Sequence, residues 1–126
     1  MSSENTEHKP RHFLVVVDDT PECRKALRFA ARRAHSVDNG GVMLLRVTEP
    51  PDFQHWMGVG ELMREEVSRV IAEDESVRIL VLGASADSSD PGPLVRAFAG
   101  ELAGSLRIPV TIVPGTLTTE QIDQLS

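Results

Sequence analysis

Phe13-Leu14-Val15-Val16-Val17-Asp18, continuing as Asp19-Thr20-Pro21, is the stretch that decides the fold. Five apolar residues end in two carboxylates, and a Thr-Pro step then opens a helical pattern, which is how a buried parallel strand hands over to a helix. Thr20 falls at an N-cap position, and Pro21 falls at the first helical position, where a missing N–H costs nothing. Leu27, Ala30, Ala31 and Ala34 follow with helical spacing, while Arg24, Lys25, Arg28, Arg32 and Arg33 fill the other faces. Asp38-Asn39-Gly40-Gly41 is the turn signal that stops the helix.

The same alternation continues downstream. Val42 to Val47 reads as a second strand, buried except at Arg46, and Asp52 to Gly60 has no clean period and reads as a loop or lid. From Glu61 a second helix carries Met63, Val67, Val70 and Ile71, with Glu65 and Arg69 spaced as an i, i+4 pair and Asp74-Glu75-Ser76 closing it. Arg78 to Gly83 is a third strand, followed by a loop from Ala84 to Pro93. A third helix places Val95, Phe98, Ala99, Leu102 and Leu106 on one face, with Gly100 and Gly104 where close backbone approach is expected. Val110 to Val113 is a fourth strand, and Thr118 to Leu125 reads as a short helix with a Thr118 to Gln121 capping box.

Strands alternating with helices call for an α/β fold, an open and mainly parallel sheet with helices on both faces. Right-handed crossovers make 2-1-3-4 the economical strand order, with the first helix on one face and the second and third on the other. The topological switch then lies between strands one and three, so the loops after Asp18 and Gly83 face one crevice, where a ligand is expected. Residues 1–11 read as a flexible N-terminal tail and 12–126 as a single domain.

Thirteen basic and nineteen acidic residues give a net charge of -6, against a nucleic-acid footprint or a polybasic membrane anchor. The cationic run from Arg24 to Arg33 then reads as a solvated helix face. No apolar run approaches a membrane span, and Cys23 as sole cysteine excludes an intrachain disulfide, so a cytoplasmic location is expected. Cys23 in a first helical turn has a redox-switch reading beside that of a small packed residue. His8, His12, His35 and His55 lack metal-ligand spacing, and no nucleophile-base constellation is present. The Gly83 to Gly92 loop has the N–H groups and the serines Ser85, Ser88 and Ser89 to cradle an anion, with Asp87 and Asp90 opposing it.

In order and spacing, these pieces resemble the universal stress protein family from His12 to Gly115. The matching residues are the strand ending in Asp18 with the Asp-Thr after it, Ala26-Leu27 and Ala30, Ile79 to Gly83, and Ile108-Pro109-Val110-Thr111-Ile112-Val113. The resemblance implies a Rossmann-like fold of the adenine nucleotide alpha hydrolase type, with adenine and ribose at Asp18 and Val47. It also implies a phosphate loop of pattern G-x-x-G-x9-G-[ST], from which Ala86 departs in the second Gly place and Glu101 in the place after Gly100. The candidate cofactor-binding set is Asp18, Asp19, Thr20, Val47, Gly83, Ser85, Gly92 and Gly100, for ATP or another adenine nucleotide with Mg, and no catalytic or metal-ligating residue is named.

A stress or signalling module is thus expected, at most a weak ATPase; the alternative is a dimeric interaction module of the same fold that binds no nucleotide. The resemblance further implies a homodimer through Val110 to Val113. One strand-helix unit of the family pattern, between Glu66 and Val77, is missing, which leaves strand two at a sheet edge. Receiver domains also end a first strand in acidic residues, but they need an Asp and a Lys closing later strands, where this chain has Gly83 and Pro114.

Overall fold

The structure, a computed structural model, describes residues 9–18, 20–46, 59–87, 89–98, 104 and 106–126. In chain order the elements are β1 (Arg11–Val17), α1 (Pro21–His35), β2 (Gly40–Arg46), α2 (Val59–Glu73), β3 (Val77–Ala84), α3 (Pro93–Phe98), β4 (Val110–Pro114) and α4 (Thr119–Leu125). The strands form one parallel sheet in the order β2-β1-β3-β4, as the alternation of elements predicts. β1 pairs with β2 from Arg11 opposite Gly40 to Val17 opposite Arg46, and β3 pairs with β4 from Leu80 opposite Val110 to Ala84 opposite Pro114.

β1 is buried on both faces because helices cover both. Leu14 and Val16 point into a core with Val67 and Ile71 of α2, Leu80 and Leu82 of β3, and Leu94, Val95 and Phe98 of α3. Phe13 and Val15 point the other way, into a core with Ala26, Ala30 and Ala34 of α1, Val81 and Val113. α1 therefore lies on one face, and α2 and α3 on the other. α4 packs beside α1, where Asp123 takes a two-pronged ion pair from Arg28 at 2.7 and 2.8 Å. Its N-terminus carries the expected capping box: Gln121 N–H donates to Thr118 Oγ1 at 3.2 Å, and Thr118 N–H to Gln121 Oε1 at 2.8 Å.

Several expectations are corrected. The buried stripe of α1 is Cys23, Ala26, Ala30 and Ala34; Leu27 is half-buried and Ala31 is exposed. Small side chains let α1 sit low on the strands, so the stripe follows the alanines and the larger Leu27 rides at its border. β2 is not a buried strand, since Leu44 is 53% exposed and Arg46 is exposed, which follows from its place at the sheet edge. Arg69 pairs with Glu66 and with Glu73 at 3.8 Å, not with Glu65. A Cβ on Gly104 would meet nothing within 4 Å, so that glycine serves no close approach. Ala99, Leu102, residues 52–58 of the expected loop and residues 1–8 of the expected tail lie outside the described residues, while Val59 and Gly60 open α2 and Arg11 opens β1.

Candidate functional site

The carboxyl ends of β1, β3 and β4 open on one side of the sheet, and α1 starts among them. Asp18 follows β1 directly. Its Oδ1 accepts from Thr20 N–H at 2.9 Å, from the Thr20 hydroxyl, and from the Cys23 thiol at 3.0 Å. Thr20 occupies the N-cap position of α1, but its hydroxyl does not cap the helix. It turns back to donate to the Asp18 carboxylate, a charge-assisted hydrogen bond.

These contacts decide the protonation of both groups. Burial raises the Asp18 pKa, yet the hydrogen bonds from Thr20 and Cys23 outweigh it and hold the carboxyl below its ordinary value. Burial pushes the Cys23 thiol up, and its proton shared with the Asp18 carboxylate pushes the same way. The thiol is 2% exposed and sits in the core beside Val16, so its role is packing and donation, without the thiolate a redox switch requires.

The opposite wall begins at Gly83. A Cβ there would come within 2.3 Å of the Glu22 carbonyl oxygen, so only glycine lets the first turn of α1 seat against β3. Gly92, with φ +98°, adopts the left-handed region. A Glu22 carboxylate oxygen lies 3.8 Å from where a Cβ on Gly92 would sit, and the Glu22 Cβ is 3.3 Å from the corresponding point on Gly115. Glu22 thus projects between the loops that follow β3 and β4. Lys25, one turn on, donates to the Gly115 carbonyl at 2.5 Å and ties α1 to the end of β4.

The loop from Ser85 to Gly92 spends its own donors. Ser85 N–H donates to the Pro91 carbonyl at 2.8 Å, and Asp87 N–H to Ser85 Oγ at 3.2 Å. Ser89 gives both its N–H and its hydroxyl to Asp87 Oδ1, at 2.9 and 2.7 Å. Asp90 N–H donates to the Asp87 carbonyl at 3.3 Å, and Gly92 N–H to Asp90 Oδ1 at 2.9 Å. Arg96 completes the arrangement with a 3.1 Å ion pair to Asp90 Oδ2. The bonds from Ser89 hold the Asp87 carboxyl below its ordinary value, so it is ionised at neutral pH.

Of the residues singled out from sequence, Asp18, Thr20, Gly83, Ser85 and Gly92 stand around this crevice. Asp19, Val47 and Gly100 lie outside the described residues. Glu22 was missed, as were Lys25 and Gly115. The signal for Glu22 was an acid directly after Pro21, one turn from the carboxyl end of β1; what it faces depends on how closely α1 approaches β3. Among the described residues no group of three His, Cys, Asp or Glu side chains is arranged to hold a metal ion, and no helix is long and apolar enough to cross a membrane.

A family model described as the universal stress protein family matches residues 9–73, just over half of the chain. The match includes the strand that ends at Asp18 and the first turn of α1, and it stops before the loop that runs from Ser85 to Gly92. No curated protein and no solved structure matches.

Proposed function

Because this chain belongs to the universal stress protein family, we propose that it is a cytoplasmic stress or signalling module that acts through contact with other protein chains and does not hold a nucleoside triphosphate in its crevice. The observation that carries this reading is the internal pairing of five N–H groups in the Ser85 to Gly92 loop. A phosphate-binding loop works by pointing unpaired N–H groups at the anion. Here the N–H groups of Ser85, Asp87, Ser89, Asp90 and Gly92 already have acceptors within the loop, two of them the carboxylates of Asp87 and Asp90.

An incoming phosphate would have to displace those acceptors and then remain beside them. Like charges about 4 Å apart repel by about 1 kcal/mol even in bulk water, and more where water is partly excluded. Glu22, projecting toward Gly92, adds a third carboxylate of the same sign. At these five amides little is gained to offset this, because each hydrogen bond made to phosphate replaces one already made.

Protein contact is supported at β4, an edge strand whose Ile112 is 40% exposed. A twofold contact through Val110 to Val113 would bury it, giving a homodimer. The second reading, an adenine nucleotide bound with Mg, is supported by Asp18, an ionised carboxylate at the carboxyl end of β1 beside the switch point. Isothermal titration with ATP, with and without magnesium, separates the two. The first expects no saturable heat at millimolar ligand; saturable heat that disappears in Asp18→Ala would establish the second.

A further inference from the structure

Outside the crevice, the outer edge of β2 is the feature that the proposed function leaves unused. β2 stands last in the sheet, and among the described residues no strand lies beyond it. Natural sheets blunt such edges with proline, inward-pointing charge or a bulge. Gly40–Arg46 contains no proline and no acidic residue, pairs with β1 without a register shift, and carries its one charge at the last position. Leu44, midway along it, is 53% exposed.

We propose that this edge pairs antiparallel with β2 of a second copy of the chain, about a twofold axis at Val42. The strand is self-complementary around that point. Val42 would face its own counterpart, Leu44 would face Gly40, and Met43 would face Gly41, so two large apolar side chains meet glycines, while Leu45 would face Asn39. Arg46 would come opposite Asp38 of the other copy, an exposed carboxylate just before the strand, and the symmetry makes this contact twice. Centred on Met43 instead, the pairing sets Arg46 against Gly40 and forfeits the charge match. Register in a two-sided strand is set by such side-chain matches, and here they select one alignment. A foreign strand would have to reproduce both the glycine pair and the acidic end; a second copy supplies them by identity. The contact is independent of the one proposed at β4, which lies at the opposite edge of the sheet.

The chain suits a cross-linking test because Cys23, its sole cysteine, is buried. Directly opposed residues of antiparallel strands have Cα atoms about 4.5–5.5 Å apart, within the span of a disulfide. Val42→Cys is expected to form a disulfide-linked dimer under mild oxidation at least roughly tenfold faster than Ala72→Cys, whose position on α2 is exposed. In an Ile112→Lys background, sedimentation velocity is expected to show a dimer that becomes monomeric on adding Leu44→Lys, with circular dichroism confirming that the variant is folded. Cross-linking no faster than in Ala72→Cys would overturn the proposal. So would a monomer in which Val42→Cys resists maleimide, which would show the edge covered by the chain itself, or a dimer indifferent to Leu44→Lys.

Discussion

Asp18 holds the turn from β1 into α1 together. Its carboxylate gathers the Thr20 amide and hydroxyl and the Cys23 thiol, three donors from two residues of the first helical turn and its approach. Since these bonds lower its pKa in the folded chain, the folded state binds fewer protons than the unfolded one as pH falls. The stabilisation is therefore fully present above the ordinary carboxylate value, about 3.9, and is lost as pH falls from there toward the lower folded value. Asp18→Asn keeps an acceptor but removes the charge, so at pH 7 it should melt below the parent. Below about pH 4 the gap should narrow as the parent carboxylate is protonated. A gap that stays constant with pH would remove the charge from the account. Asp74, Asp87 and Asp123 are also held below their ordinary values, so both proteins lose stability in acid, and the difference between them is the informative quantity.

At the scale of elements, the contact that shapes the crevice is the first turn of α1 against the end of β3. Gly83→Ala drives a Cβ into the Glu22 carbonyl, a backbone atom that cannot swing aside. Overpacking of this kind costs about 1–3 kcal/mol, which in a chain of this size lowers Tm by roughly 5 °C or more. An unchanged melting temperature would show that α1 does not seat there. The strands around this contact were legible because Phe13 to Val17 and Ile79 to Leu82 are unbroken apolar runs closed by an acid or a glycine. Glu22 was not legible, because nothing in a local pattern says which residue of a helix faces loops far away in sequence, at Gly92 and Gly115. The stripe of α1 was misassigned by the same limit: Leu27 and Ala26 both fit a helical period, and only the closeness of the sheet favours the alanine. Asp87 and Asp90 were visible as charges opposing an anion, but that they consume the loop's own N–H groups is a matter of turn geometry, beyond what composition encodes.

Among the described residues the molecule is a four-stranded sheet with two unlike edges and a crevice at the carboxyl ends of its strands. β4 exposes Ile112 and β2 exposes Leu44, so each edge where another chain can extend the sheet carries an exposed apolar side chain, as does the end of α4 at Leu125. The crevice, where α/β folds generally bind ligands, is instead lined by Asp18, Glu22, Asp87 and Asp90. With a net charge of -6, the long-range field also repels polyanions. The family fold is kept, and the proposed function places recognition at the edges of the sheet. The most direct measurement is an amide-resolved NMR titration with ATP and magnesium, following the N–H groups of Ser85, Asp87, Ser89, Asp90 and Gly92. These resonances are expected to stay in place up to millimolar ligand, since their donors are already bound within the loop. Saturable shifts concentrated on those five amides would contradict the account.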